Sequence, residues 1–217
     1  MATRITDACV KAARGPWRAR RGPNAARRVV LFDDFVVEKL IFRGHPAAPF
    51  VVLVPVCAWL VEAAPHRDGQ LAPWLGVFAL GAVAWTLLEY LMHRFLFHLP
   101  TSGDAGRVFT FILHGHHHVT PAETSRLAAT PVQFGSLFAA VYGVSMAAAG
   151  AWGALFTAGM IVGYLAYEAV HHTAHHGRPK GRVMRWLVRH HLAHHYESPD
   201  RRWGISSPLW DWVFRTR

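Results

Sequence analysis

The sequence predicts an all-α integral membrane protein with about four transmembrane helices. Of its 217 residues, 52% are hydrophobic and only 17% are charged, whereas charged residues make up about a quarter of an ordinary soluble domain. Residues 127–167 contain no Asp, Glu, Lys or Arg. Because one bilayer-spanning helix needs roughly 20 apolar residues, this stretch is long enough for two spans joined by a tight turn. An ordinary soluble globule is therefore excluded.

The positive charge lies at the two ends of the chain. The net charge is +10; ten of the 23 Lys and Arg residues fall in residues 1–43, and nine more follow Gly177. This distribution is typical of cytoplasmic flanks of membrane helices and argues against a nucleic-acid-binding protein. Two cysteines, Cys9 and Cys57, do not make a disulfide framework. No apolar run occurs in residues 1–28, so a cleavable signal peptide is not expected.

The chain divides at residue 28 into an arm and a membrane domain. Residues 1–28 are rich in Arg and broken by Pro16 and Pro23, which predicts a flexible basic arm on an anionic membrane surface. Residues 29–217 form the membrane domain. Its first segment, 29–43, is too short and too charged to span, and we expect an interfacial helix there.

Four apolar segments are predicted to span the membrane, at about 47–64, 71–92, 131–149 and 152–170. Two spans plus a re-entrant hairpin are the main alternative. With a cytoplasmic N-terminus, the loop 94–130 and the tail after residue 171 both lie on the cytoplasmic side. They are predicted to form a helical cap there.

Histidines are concentrated in this cap. Fourteen of the 16 fall within residues 93–118 and 171–195. Side chains three and four positions apart share one face of a helix, so His114 can converge with His117 and His118, as can His191 with His194 and His195. His171 and His175 form a further pair. His93 and His98, five apart, require one ligand at a helix end.

This clustering predicts a dimetal site. Imidazole suits iron, zinc, copper and nickel, and a mononuclear site uses three or four protein ligands. Ten convergent imidazoles are too many for one ion and about right for two. The possible additional ligands are His116, His172, His176 and His190, whereas His45 and His66 are expected to be ordinary surface histidines.

A metal-transporting or metal-storing membrane protein is the rival from another class. A transporter places ionisable ligands at mid-membrane depth along its path, but the four predicted spans contain no histidine. The histidine clusters lie instead beyond the ends of the spans. This pattern favours a metalloenzyme.

Three phrases carry a resemblance to a known family: LLEYLMHRFLFH (87–98), YEAVHHTAHH (167–176) and HHLAHHYESPDRRWGISSPLWDWVFRT (190–216). They resemble the fatty acid hydroxylase/sterol desaturase superfamily of membrane di-iron enzymes, and are similar to its fatty acid 2-hydroxylase branch over about residues 40–217. Two features depart from that branch. Glu168 stands where it more often has Asp, and the cytochrome b5-like haem domain common in eukaryotic members is missing from this sequence.

The resemblance implies a metal-ligand set and a reaction. It places metal ligands at His93, His98, His114, His117, His118, His171, His175, His191, His194 and His195. It also implies a non-haem di-iron monooxygenase that holds two Fe²⁺ ions, uses O2 as co-substrate and hydroxylates a long-chain fatty acyl group at C2. Zinc could substitute for iron on purification. A sterol or carotenoid is the alternative substrate.

Electrons are then expected from a separate ferredoxin, cytochrome or reductase. No side chain beyond the metal ligands is predicted to act in the chemistry. Carboxylates near the clusters are expected to tune the site. Glu89 could orient His93, four residues on, while Glu168 and Asp211 are the other candidates. A structural salt bridge or a helix cap is the alternative role for each.

Overall fold

The computed structural model describes residues 3–19, 28–65 and 71–217. Its α-helices run in the order α1 (Asp7–Ala13), α2 (Ala48–Glu62), α3 (Leu71–Leu91), α4 (Asp104–Thr110), α5 (His116–Val119), α6 (Pro131–Ala149), α7 (Ala151–His176), α8 (Arg182–Tyr196) and α9 (Leu209–Val213). Three π-helical turns, Val37–Ile41, Met92–Phe97 and Phe111–Gly115, and a 3-10 turn, Thr124–Arg126, lie between them. Within the described residues there is no strand beyond an isolated bridge between Ile5 and Phe32. The all-α prediction is confirmed.

Three helical segments are long and apolar enough to cross a membrane: Leu71–Phe97, Thr124–Ala149 and Ala151–His176. The fourth apolar helix, α2, has 15 residues, which at 1.5 Å per residue covers about 22 Å. This is less than the roughly 30 Å of a hydrocarbon core. The four predicted segments are all helical, and three of them have spanning length. The last extends to His176 rather than ending near residue 170, so two of the predicted ligands lie on its final turns.

Helix α7 is the centre of the bundle and packs against α2, α3 and α6. Glycines let α3 and α7 touch through their backbones. A Cβ on Gly81 would lie 2.1 Å from the Phe156 carbonyl oxygen, and one on Gly159 would lie 2.0 Å from the Phe78 carbonyl oxygen. No larger side chain fits at either position without separating the helices. This contact fixes α3 relative to α7, and both helices lead to the histidine clusters.

Helix α6 begins and ends with strong local signals. Thr130 and Gln133 form a capping box at its start, where Pro131 occupies a first-turn position. Pro is favoured there because that turn has no intrahelical partner for its N–H. The helix stops at Gly150, whose φ of +56° favours glycine. A one-residue turn therefore reverses the chain into α7, as the uncharged stretch predicts.

The described part of the predicted arm, residues 3–19, packs on the membrane domain. Thr6 caps α1 by accepting from the Cys9 backbone N–H, and Cys9 is buried with Leu31 and Phe111 in one apolar cluster. Residues 30–33 run beside residues 4–6, since Thr6 N–H donates to the Leu31 carbonyl at 2.9 Å and Asp33 N–H donates to the Arg4 carbonyl at 3.0 Å. The helix expected over 29–43 is therefore confined to its second half, around the π-helical turn Val37–Ile41. Residues 20–27 of the arm lie outside the described part of the chain.

Candidate metal centre

A π-helical turn brings His93 and His98, the first two histidines of the clusters, to the same side of the chain. His98 follows His93 by five positions, a spacing that on a regular α-helix would turn the two side chains apart. The turn Met92–Phe97 widens the helix at this point, and the His98 N–H donates to the His93 carbonyl at 3.2 Å in the i→i+5 pattern. Single π-turns of this kind occur frequently at functional sites.

Ten histidines converge as two groups of five. The first histidine group consists of His93, His98, His114, His118 and His194, and the second histidine group of His117, His171, His175, His191 and His195. Within each group the candidate ligand nitrogens lie within 4.8 Å of one another. The structure thus brings together all ten histidines named as ligands from the resemblance.

The two groups are interleaved along the chain. The segment leading out of α3 contributes only to the first group, and α7 contributes only to the second. By contrast, α5 sends His118 to the first group and its neighbour His117 to the second. Helix α8 divides in the same way, with His194 in the first group and His195 in the second.

Contacts between ring nitrogens in the first histidine group fit a shared cation. The Nε2 atom of His118 lies 3.0–3.3 Å from the Nε2 atoms of three other members, His98, His114 and His194. A neutral imidazole nitrogen supports one hydrogen bond, so hydrogen bonding does not account for three such neighbours. Two nitrogens each about 2.1 Å from one metal ion lie roughly 3.0–3.4 Å apart at cis or tetrahedral angles. The observed separations match that range.

The second histidine group shows the same geometry. His117 Nε2 lies 2.9 Å from His171 Nε2 and 3.1 Å from His195 Nε2. The Nε2 atoms of His175 and His191 are 2.9 Å apart. Each group can therefore hold one metal ion, and the all-nitrogen donor set suits a borderline transition metal.

Backbone carbonyls orient two of the imidazoles in the first group. The Nδ1 atoms of His93 and His194 lie 2.6 Å from the carbonyl oxygens of Trp203 and Arg201, respectively. A carbonyl can only accept, so Nδ1 carries the hydrogen and Nε2 presents its lone pair to the group. The Nε2 atom of His93 is buried and has no hydrogen-bond partner. This is expected of a nitrogen that binds a metal ion.

Burial favours the neutral form of histidines in both groups. Desolvation, followed by the neighbouring imidazoles, lowers the pKa of His118 well below its ordinary value. The same causes lower the pKa of His191 and of His195. Metal binding requires neutral imidazole, so these side chains are already in the protonation state that a metal ion needs.

The loop of residues 201–208 is held from two sides by carboxylates. Glu89 accepts from the backbone N–H groups of Ile205 at 2.5 Å and Ser206 at 2.9 Å. Glu89 was expected to orient His93, but the Nδ1 atom of His93 is bonded to the Trp203 carbonyl of this loop instead.

Asp211 holds the other side of the loop. It accepts from the N–H groups of Trp203 and Gly204, both at 2.9 Å. It also pairs with the ring of His190 at 3.0 Å. The third carboxylate, Glu168, is buried and accepts from the Tyr164 hydroxyl at 2.6 Å.

The four possible additional histidines lie outside both groups. His116 is bonded through Nδ1 to the Phe111 carbonyl at 3.1 Å, and His190 is bonded to Asp211. His172 and His176 contact each other. His45 is exposed and accepts from the Ala47 N–H, while His66 lies outside the described residues.

An apolar cavity of about 300 Å³ opens against both histidine groups. His93 and His114 of the first group and His117 and His171 of the second are on its wall. The remaining lining is largely apolar; part of it comes from α3, α6 and α7, and the rest comes from the turns and loops beside them, including Leu96, Ile112 and Ile205. Ligand pockets are typically about 300–1,000 Å³, mainly apolar, with a few polar groups. The cavity thus connects the level of the membrane helices with the candidate metal centre.

Two residues at the site escaped the sequence interpretation. Trp17, in the predicted arm, lies with its ring centroid 5.5 Å from that of His98 and 6.2 Å from that of His118. Arg126 lines the cavity. No local sequence pattern indicates that Trp17 lies at the site. Arg126 does have such a signal, because it is the last charged residue before the uncharged stretch 127–167.

Known proteins match this chain over most of its length. Residues 78–216 match the family model described as fatty acid hydroxylase. With the helical fold and the two histidine groups, this match defines a membrane oxygenase with a histidine-rich centre that could hold metal. Because the match covers more than half of the sequence, the chain belongs to the fatty acid hydroxylase family.

Individual relatives and a solved structure are also hydroxylases by name. The chain is 36% identical over 172 residues to dihydroceramide fatty acyl 2-hydroxylase FAH2 of Arabidopsis thaliana, covering 78% of this chain and 72% of the relative. It is 37% identical over 191 residues to ceramide very long chain fatty acid hydroxylase SCS7 of Saccharomyces cerevisiae, covering 86% of this chain and 48% of that protein. The solved structure described as full-length scs7p, with only the hydroxylase domain visible, superposes with a TM-score of 0.80 at 29% identity, covering 95% of this chain and 81% of that one.

Proposed function

We propose that this protein is a di-iron monooxygenase that hydroxylates a long-chain fatty acyl group at C2, using O2 and external electrons. One observation carries the proposal. Four histidines, two from each histidine group, face an apolar cavity between helices of spanning length. A lipid tail can remain among these helices while its reacting carbon reaches the site. The names of the relatives support an acyl substrate and the C2 position.

The first and second histidine groups would each hold one iron ion. When bound, the two ions would supply activation of O2 for insertion of one oxygen atom into a C–H bond. The protein itself would orient the metal-binding imidazoles and keep water out of the cavity. Trp203 and Arg201 carbonyls fix two imidazoles, and the helical segments around the cavity supply an apolar wall that excludes water.

Electrons would come from a separate protein, a ferredoxin, cytochrome or reductase. Support comes from the outer face of α8, where Arg182, Arg185 and Arg189 are exposed at spacings that place them on one side of the helix. The same helix carries His191, His194 and His195 on its buried side. An acidic electron carrier on this face would lie one helix away from the metal centre, and opposite charges favour such encounters.

The N-terminus, the C-terminus and both histidine groups would lie on the cytoplasmic side. The histidine groups are at the C-terminal ends of α3 and α7, and α7 leads into the basic C-terminal region. An excess of Lys and Arg marks the cytoplasmic flank of membrane helices.

Lipid mass spectrometry of cells that express the protein tests the proposal. A 2-hydroxyacyl product is expected in the wild type, and its loss is expected in His117→Ala and His194→Ala, with lower metal content in both. His172→Ala is the matched control, since it changes a histidine of α7 outside both groups, and His45→Ala is the surface control. An oxidised sterol or carotenoid would replace the proposed substrate. Full turnover in His117→Ala or His194→Ala would refute the ligand assignment.

A further inference from the structure

A buried arginine, Arg126, lies on the wall of the apolar cavity. Arg126 lies in the 3-10 turn Thr124–Arg126, just before α6. Its side chain is 2% exposed, and it is the one Lys or Arg among the described residues that line the cavity. The same cavity wall carries histidines from both groups.

Arg126 is only partly satisfied by the protein. Its Nη2 atom donates to Glu38 Oε1, and its Nε atom lies 3.8 Å from Glu123 Oε1. Its Nη1 atom is buried and has no hydrogen-bond partner. A buried donor without a partner destabilises the folded state. A ligand that supplied an acceptor to Nη1 would remove this cost.

The charges around Arg126 also leave a place for an acceptor. Glu38 pairs with Arg43 at 2.7 Å, and Glu123 lies 3.6 Å from Arg28. Three arginines and two glutamates therefore form this ion-pair cluster, which has one positive charge in excess. Of the five, Arg126 alone lines the cavity within the described part of the chain. The carboxylates that also line the cavity already accept from other groups, Glu89 from the 201–208 loop and Glu168 from Tyr164.

We propose that Arg126 binds the C1 oxygen of the acyl substrate and so determines which carbon is hydroxylated. This inference rests on the proposed function. Nη1 would donate to an oxygen on C1, which is either the carboxylate of a free fatty acid or the amide carbonyl of an N-acyl lipid. Guanidinium groups favour both acceptors, and bind carboxylates more strongly. With C1 held at Arg126, the adjacent carbon C2 is the first methylene presented to the histidine wall.

The test compares purified, metal-loaded wild-type protein with Arg126→Gln in the presence of a reductase system. Metal content, kcat, KM and the position of the new hydroxyl group are measured. We expect Arg126→Gln to keep two metal ions, to raise KM at least tenfold and to spread hydroxylation from C2 to C3 and beyond. Arg43→Gln is the matched control. It removes an ion pair from the same Glu38 carboxylate but does not change the cavity wall, so its KM and product should match the wild type.

Two substrate arms distinguish the sources of the C1 oxygen. A larger rise in KM for a free fatty acid than for an N-acyl sphingoid base supports a carboxylate ligand, and comparable rises support a carbonyl ligand. Unchanged KM and an exclusive C2 product in Arg126→Gln would overturn the role of Arg126 while leaving the proposed function intact. Absence of any 2-hydroxy product from the wild type would overturn both.

Arg126→Lys covers the case in which Arg126→Gln fails to fold or load metal. Lysine keeps a positive charge for Glu38, but all its donors are on one nitrogen, so it lacks the second terminal nitrogen that the guanidinium can direct at a ligand. A mixture of C2 and C3 products from this variant supports the proposal, and an exclusive C2 product with wild-type KM overturns it.

Discussion

Asp211 is the buried carboxylate whose removal has the most calculable effect. It is fully buried and accepts from two backbone N–H groups, those of Trp203 and Gly204, at 2.9 Å each. In Asp211→Ala both donors lose their partner in a site where little water can enter. An unsatisfied buried donor costs about 1–3 kcal/mol, so the two together destabilise the protein by about 2–6 kcal/mol.

Two measurements follow from this change. For a chain of this size, each kcal/mol shifts the unfolding midpoint by about 2–4 °C, so a decrease of roughly 10 °C is expected in detergent. The freed loop also carries the Trp203 carbonyl that holds His93. Loss of a partner that orients a metal-binding histidine typically costs 10–100-fold in metal affinity, and a chelator titration followed by elemental analysis measures it.

Asp104→Ala is the matched control for Asp211→Ala. Asp104 pairs with Arg14 on the surface, where both side chains are more than half exposed, and exposed ion pairs contribute little to stability. Its midpoint and chelator resistance should equal those of the wild type. If Asp211→Ala also kept both wild-type values, the loop would not position the histidines, and the reasoning would be refuted.

Two more substitutions test the helix contact and the aromatic cover. Gly159→Val should shorten the half-life of the protein in detergent severalfold, because its Cβ would lie 2.0 Å from the Phe78 carbonyl oxygen. Gly143→Val is the control and should keep the wild-type half-life, because its Cβ meets nothing within 4 Å. Equal half-lives of the two variants would contradict the close packing of α3 and α7. Trp17→Ala should speed metal release to a chelator severalfold, because it uncovers His98 and His118. Trp59→Ala, at an exposed position on α2, is its control, and release at the wild-type rate would show that Trp17 does not shield the site.

The spans and the histidine clusters were predictable because their signals are local. An uncharged stretch of 41 residues and imidazoles at three- and four-residue spacings depend only on neighbours in the chain. The separation of His93 and His98 by five positions indicated irregular helix geometry but did not predict a π-turn. The choice of His117 for one group and His118 for the other depends on how α5 faces α7 and α8.

Contacts between distant parts of the chain carried no sequence signal. The cover of His98 by Trp17 joins residues that are far apart in sequence, and basic composition alone indicated a loose arm. Arg126 shows the same limit. Its position before an apolar span was visible, but its burial depends on Glu38, which lies in a segment predicted to rest at the membrane interface.

The interleaving of the two histidine groups has a consequence for how the protein acquires its metals. Helices α5 and α8 each serve both groups, so the first ion to bind orders side chains on the same turns that the second ion requires. The second ion then meets a partly organised site and pays less conformational entropy. Loading is therefore expected to be cooperative. A sample given half of the required metal would contain mainly empty and fully loaded molecules, with few that carry a single ion.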